Sequence, residues 1–515
     1  MIPTCTTALE RAARYFAKRP AVRCAEGEFT FEQAWTRGLK LASALNARGL
    51  SAQDRVATLE ENRIGAVDTY LAAAASNMVR VPLYPRNSIE AHAHMLTITE
   101  SKILFVDKEL ASDEVRQLTS KVKSLQEVVV RDKDYESWLD SQTPLNRVAP
   151  TTEGDLHLIR FSGGTTGLPK GIPLTNRVWM CQLRDITYVL PRMAPGDVCL
   201  HMGTLSHGAG YLFIPTWIHG GINQLNLGFE AEKIIDALET DGVGFAFGAP
   251  SMLAELVRAK NAKGRNFEHL KAIWIAGAPI SHETALLSRD VFGERVYQMF
   301  AQTEAAPGVV MPPSEWYATI DGSAPLDAAG RVSPWTELEI RDENNQPMQI
   351  GEVGEITYRC DGQMTGYLGA PELNAEKLRD GWIFSGDVGY LDANGFLYIV
   401  DRKGAMIISG GYNIWPAELE QVISKIADVL EVAVVPIPDE RWGETPLAIC
   451  CLRPGSALTE QQVIEECRVR LGSYKKPGKV ILQMESLPKT SVEKIDRRAL
   501  KEPYWAGRTK RVAGT

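Results

Sequence analysis

At 515 residues the chain exceeds what one hydrophobic core usually serves, so two or more domains with room for a large cleft are expected. Hydrophobic content of 44%, charged content of 23% and mean hydropathy of -0.15 exclude a disordered or membrane-spanning class, and a net charge of -8 gives no global attraction for nucleic acid or anionic lipid. Eight cysteines without paired-ligand spacing argue against zinc and a disulfide framework; with no signal-like N-terminus and no apolar run of membrane length, a cytoplasmic protein is expected.

Residues 1 to about 150 alternate helical and strand patterns, which is the mark of a mostly parallel sheet covered by helices. Thr30-Phe31-Glu32-Gln33 reads as a capping box opening a helix. Strands are expected at 56–59, 79–84, 103–106 and 128–130, with an apolar helix over 64–75. Arg86 falls in an exposed turn, where an arginine is ordinarily a surface charge.

A second α/β layer is expected over 150–330, with strands at 198–202, 243–247, 272–275 and 296–300. It opens with a strand-like run, 156–161, followed by Ser162, Gly163, Gly164, Thr165, Thr166, Gly167 and then Lys170. Glycines that turn N–H groups outward, three hydroxyls and one cation suit a polyphosphate, although such composition also makes an ordinary turn. The Walker pattern is excluded, because Lys170 follows Pro169 and precedes Gly171. From about 331 the pattern changes to short strands and glycine turns, read as a small β-barrel appended to the sheets. A polar segment at 401–404 then leads to a compact α+β unit of about 110 residues, giving domains 1–402 and 403–515.

Several polar residues fall at chemically useful places. Glu304 follows a strand end, where a carboxylate binds Mg2+ on phosphate oxygens or is simply solvated. Asp387, after Ser385-Gly386, suits a grip on vicinal ribose hydroxyls or a local Asx turn. Arg402 reaches ribose or phosphate, or pairs with Asp401. Lys494 is a solvated charge unless the C-terminal unit folds over the cleft and delivers it to developing negative charge.

Taken in order, the runs 161–171, 300–304, 384–387, 401–420 and 488–497 resemble the ordered motifs of the adenylate-forming superfamily: acyl- and aryl-CoA synthetases, nonribosomal adenylation domains and luciferases. The resemblance implies an α/β fold with a large N-terminal domain of two α/β subdomains plus a small β-barrel, and a mobile C-terminal lid hinged at Gly404. It assigns Ser162 to Gly167 and Lys170 to the phosphate loop, Thr303 and Glu304 to catalysis with Glu304 on Mg2+, Asp387 to ribose, Arg402 to ribose and phosphate, and Lys494 to adenylation. Ala276, Gly277, Ala278 and Pro279 match the segment against adenine. His207 matches the position beside the acyl carboxylate, and Gly208, Ala209, Phe247 and Gly248, with Ala276, suggest an apolar slot for the acid.

Three departures stand out: the loop reads Ser-Gly-Gly, a form resembling aryl-acid-activating members; Phe300 and Ala301 stand where tyrosine and glycine are common; and Glu493 replaces the glycine before Lys494. Gly410 and Gly411 would let a pantetheine arm pass close to the backbone. Arg86, Trp442 and Lys479 sit in segments resembling those that contact coenzyme A in aryl-CoA ligases. The resemblance therefore implies an acid–CoA ligase using ATP, Mg2+ and coenzyme A on an aryl or hydrophobic acid. A carrier-loading adenylating enzyme, a nucleotide-binding pseudoenzyme and, more remotely, a luciferase-like oxygenase are the alternatives.

Overall fold

Apolar β-branched runs too short to make helices build two parallel sheets, and the helices between them cover both faces. The computed structural model describes residues 3–162, 168–403, 405–409, 412–439, 441–490 and 494–506; Gly163, Gly164, Thr165, Thr166, Gly167, Gly404, Gly410, Gly411 and Glu493 lie outside them.

The first sheet runs Glu127–Arg131, Ile103–Asp107, Arg55–Leu59, Val79–Pro82, Leu156–Ser162, Lys170–Thr175, parallel until its last, antiparallel pair. The helix Ile64–Ala75 is buried along its whole length, and Thr30 and Gln33 form the capping box of Phe31–Ala47. At the sheet's C-terminal end Glu60 accepts from Arg80 at 2.8 Å and from Arg131 at 3.0 Å, and Arg131 also meets Asp107 at 3.1 Å. Burial alone would raise the Glu60 carboxyl; the guanidinium groups of Arg131 and Arg80 outweigh it and hold it below the usual range.

The second sheet begins with the N-terminal hairpin Gly27–Thr30 and Pro20–Cys24. It continues through Ile222–Leu225, Val198–His201, Val243–Gly248, Ala272–Ala276 and Val296–Gln302, all parallel from Pro20–Cys24 onward. Two strands thus sit in a different sheet from the one their place in the chain suggests. Leu156–Ser162 and Lys170–Thr175, expected in the second layer, extend the first, with Leu158 opposite Arg80; the N-terminal hairpin joins the second, with Val22 opposite Asn223. Local patterning makes a strand, but long-range pairing decides which sheet receives it.

Beyond Val296–Gln302 the path turns antiparallel through Ala305–Met311, Gly330–Val332, Phe396–Arg402, Trp382–Leu391, Gly354–Cys360 and Thr336–Arg341. The strands read as an appended barrel are thus strung on the edge of the second sheet. After Arg402 the chain leaves it for a separate sheet built on Val429–Asp439 and Gly443–Leu452, flanked by Pro416–Ile423, Glu460–Leu471 and Arg497–Trp505. This small unit docks on the large one through Arg453 to Glu283 at 2.8 Å, and through Gln421 and Lys425 to Asp327. Asp401 accepts the Ala417 N–H at 3.0 Å, and burial pushes its carboxyl up to about 6. Among the described residues no helix is long and apolar enough to cross a membrane.

Two stability measurements follow. Glu60→Ala strands two buried guanidinium groups and should destabilise the large domain by about 3–5 kcal/mol, read as a lower first transition in calorimetry. Because the folded Asp401 carboxyl is raised, its contribution is complete below the ordinary aspartate pKa and is lost as pH climbs through about 6. Asp401→Asn should flatten that part of the melting-temperature profile.

Candidate active site

The strand Val296–Gln302 and the strand Ala305–Met311 form a hairpin with Gln302 opposite Ala305, so Thr303 and Glu304 are its two-residue turn at the C-terminal edge of the parallel sheet. Ligands gather at such edges in open α/β sheets. Glu304 accepts the Tyr367 hydroxyl at 2.7 Å, and its carbonyl takes the Met364 N–H at 2.7 Å. Tyr367 in turn lies 5.8 Å, ring centroid to Nζ, from Lys170. Lys170 opens its strand opposite Ser162, so these two residues close the hairpin around the glycine-rich segment.

One residue earlier, the Gln302 amide donates to Asp387 at 2.6 Å and to the Ser385 carbonyl at 3.1 Å, and its oxygen accepts from Tyr358 at 2.7 Å. Asp387 and Arg402 are cross-strand neighbours, and their ion pair closes at 3.1 Å. Arg402 therefore pairs with Asp387; Asp401 instead accepts the backbone N–H groups of Arg402 and Ala417. Gly386 has φ +75, and its N–H meets buried Glu355, which also holds Lys403 at 2.7 Å. At 5% exposure, burial raises the Asp387 carboxyl above its ordinary value against the pull of Arg402, Gln302 and Lys494.

From the small domain comes Lys494, whose carbonyl accepts the Thr490 N–H at 2.7 Å. Its stem crosses Gly277, where a Cβ would lie 3.6 Å from Lys494 Cε. The residue keeps an exposed flank, but protein crowds the ammonium: desolvation and then Arg402 lower its pKa, while Asp387 and Glu304 oppose them. Lys494, Asp387, Glu304, Arg402 and Gly277 thus converge from two domains. Ala278 and Pro279 follow Gly277 on an exposed segment after the strand end at Ala276.

A second cluster lies beside the first. His207 precedes the short turn Gly208–Tyr211, and its ring meets Tyr84 edge-on at 5.0 Å. Its Nδ1 is buried without a hydrogen-bond partner. Burial, Arg160 and Lys494 push its pKa down to about 3, so the imidazole is neutral at neutral pH. Phe247 stands against Trp274 at 5.2 Å and so close to Gly208 that a Cβ there would lie 2.4 Å from the ring. Gly248 faces Met202 and Ala209 is buried, which makes the wall apolar and shallow.

Three expected residues stand apart from these clusters. Arg86 is exposed in the turn after Val79–Pro82, Trp442 stacks under Arg441 at 4.4 Å, and Lys479 lies over Tyr504 at 5.5 Å on the small domain's sheet. Conversely, sequence reasoning gave no role to Tyr358, Tyr367, Tyr84 or the Gln302 side chain. Only Gln302 carried a signal: it is the last residue of a strand whose turn bears Glu304.

Residues 9–368 match the family model of the AMP-binding enzyme, and residues 418–494 match that of the AMP-binding enzyme C-terminal domain. A feruloyl-CoA synthase of Amycolatopsis sp is 32% identical over 489 residues, covering 94% of this chain and 96% of that protein. The fatty acid–[acyl-carrier-protein] ligase ScoC of Streptomyces coeruleorubidus is 28% identical, over 97% of this chain and 96% of the other. Among solved structures, the amide bond synthetase McbA of Marinactinospora thermotolerans superposes with a TM-score of 0.87 at 26% identity, over 98% of this chain and 100% of that one. One name specifies coenzyme A, one a carrier protein and one an amide bond, so the acceptor varies while the fold holds.

Gln302→Leu would release Asp387 and leave the Tyr358 hydroxyl without its acceptor. Calorimetric titration with AMP should show binding weakened roughly tenfold, as for loss of a hydrogen bond to a charged group.

Proposed function

This chain belongs to the AMP-binding, adenylate-forming enzyme family, and from that premise we propose that it is an ATP-dependent acid–CoA ligase acting on an aryl or hydrophobic carboxylic acid. The observation that carries the reading is the convergence of Lys494 with Asp387, Arg402 and Glu304 across Gly277. A lysine lying against a backbone glycine, with a second cation and a carboxylate around its ammonium, suits a nucleotide whose α-phosphorus is under attack.

In this reading Ala276, Gly277, Ala278 and Pro279 pack on adenine, Asp387 holds the ribose hydroxyls, and Arg402 spans ribose and α-phosphate. Ser162 to Gly167, with Lys170, hold the outer phosphates. A carboxylate oxygen of the acid attacks the α-phosphorus and pyrophosphate leaves with the electrons of the broken P–O bond. Lys494 stabilises the charge on the transferring phosphoryl group, and Thr303 sits in the turn beside it. Among the described residues no group of three metal-ligating side chains forms a closed cage. A metal carried by phosphates needs only one or two carboxylates, and Glu304, with one oxygen on Tyr367, meets that requirement. Glu304 would hold Mg2+, which when bound neutralises phosphate charge.

His207, Gly208, Ala209, Phe247 and Gly248 form the acid slot. Its edge-on aromatic walls, Phe247 on Trp274 and His207 on Tyr84, favour a planar acyl group. The mixed anhydride is then opened by a thiol, with release of AMP. Likeness to a feruloyl-CoA synthase supports both an aryl acid and coenzyme A, with Arg86, Trp442, Lys479, Gly410 and Gly411 as its contacts once the small domain turns about Gly404. We take residues 1–402 as the adenylating domain, 403–515 as the moving lid, and the cytoplasm as the site of action. Likeness to ScoC favours one second reading, the loading of a carrier protein.

Benzoates, hydroxy- and aminobenzoates, cinnamates and graded fatty acids should be screened with ATP and Mg2+, following pyrophosphate and AMP with and without coenzyme A. One acid class is expected to give AMP release dependent on coenzyme A. Pyrophosphate without thioester would favour carrier loading, and silence with every acid would overturn the adenylation reading. Lys494→Ala should slow adenylate formation roughly 100- to 1000-fold while leaving thioester formation from a supplied acyl-adenylate near its original rate.

A further inference from the structure

Buried and half-buried arginines elsewhere in the large domain are matched to carboxylates: Arg80 and Arg131 to Glu60, and Arg37 to Asp68 at 2.7 Å. Arg160 departs from that pattern. It lies on the strand Leu156–Ser162, two residues before its end, and is only 3% exposed. Its guanidinium carbon stands 4.4 Å from the Tyr211 ring centroid and 5.6 Å from that of Trp179. The Nε is buried without a hydrogen-bond partner, as are those of Arg80 and Arg131, but among the described residues no carboxylate forms an ion pair with Arg160. Tyr70, Tyr84, Tyr211 and His207 feel its charge, and none of these four is an anion at neutral pH. Ring faces soften a buried guanidinium but do not replace the water it has lost.

A buried guanidinium without a carboxylate, in a domain that pairs Arg37, Arg80 and Arg131 with theirs, marks a place where the counterion arrives from outside. The neighbouring group is unsatisfied as well, since His207 Nδ1 is buried and unbonded, and the His207 ring lies in the field of both Arg160 and Lys494. An anion seated against His207 would therefore be drawn by two cations at once.

We infer that Arg160 binds the carboxylate of the incoming acid, which supplies the counterion that the protein itself withholds; this rests on the acid-activating reading of the site. The assignment separates the two half-reactions. As the carboxylate oxygen bonds to the α-phosphorus and pyrophosphate departs, the acyl group becomes a mixed anhydride and loses its negative charge. Arg160 thus holds the free acid and has no anion to hold once the adenylate forms. It is a substrate-binding residue for the first step and a bystander in the second.

The test uses the full chain and Arg160→Met. Without ligands the variant should melt a few degrees above the wild type, because an unpaired buried charge has gone. Without nucleotide, benzoate and octanoate should raise the melting temperature of the wild type more than benzamide and octanamide do, and the variant should respond to acid and amide alike. With an acid that supports turnover, its KM should rise about tenfold or more, with the KM for ATP and the rate of thioester formation from supplied acyl-adenylate unchanged. A variant that melts below the wild type, one that keeps the preference for carboxylate over amide, one in which both half-reactions slow together, or a wild type without that preference would each overturn the inference. The melting experiments need no turnover, so they test carboxylate binding independently of whether the acid screen bears out the ligase reading.

Discussion

The primary amide of Gln302 is the interaction on which the rest of the site depends. Its nitrogen ties the end of the last parallel strand to Asp387 and its oxygen ties the same strand end to Tyr358, on the strand Gly354–Cys360. A parallel sheet and an antiparallel extension are thereby held in fixed relation at the edge where Glu304 turns the chain. Glu304, two residues on, is held by Tyr367, while Asp387 is held at this strand end by a neutral side chain. A charged residue at that position would add a third ion to a crowded patch and disturb both carboxylates.

Charge is managed in two contrasting ways within one molecule. Around Glu60, carboxylates and guanidinium groups are buried and paired with one another, which fixes the C-terminal end of the first sheet. In the cleft the matching is incomplete: Arg402, Lys494 and Lys170 gather about Asp387 and Glu304, while Arg160 has no carboxylate paired with it, and the balance is positive. Substrate phosphates and a carboxylate are the natural complement to such a surface, and the low dielectric that makes the unpaired cations costly also strengthens their hold on a bound anion.

Much of this was legible in the sequence where a local rule governs. The helix Ile64–Ala75 and the Thr30–Gln33 capping box were readable because periodicity and capping act within a few residues. Asp387 and Arg402 were readable as separate candidates, but their pairing depends on the register of two strands, which no local pattern states. Tyr367 reaches Glu304 from 63 residues away, and Tyr358 reaches Gln302 from 56; nothing in the neighbourhood of either tyrosine marks it. Arg160 was invisible for another reason. A single arginine in an apolar strand looks like any other, and only the absence of a carboxylate around it in three dimensions sets it apart. The exchange of strands between the two sheets was hidden likewise, since alternating patterns do not record which neighbour a strand will find.

The contact between Gly208 and Phe247 bears on how such a pocket changes over generations. With 2.4 Å between the missing Cβ and the ring, position 208 is not free to vary by itself. Any side chain at 208 first requires a smaller residue at 247, whereas shrinking 247 opens a void that a residue at 208 then fills. The order of substitutions is thereby constrained, and the path to a new acyl preference runs through an intermediate with a loosened wall. Lineages sharing this pair should explore substrates in correlated jumps, position 247 leading and position 208 following.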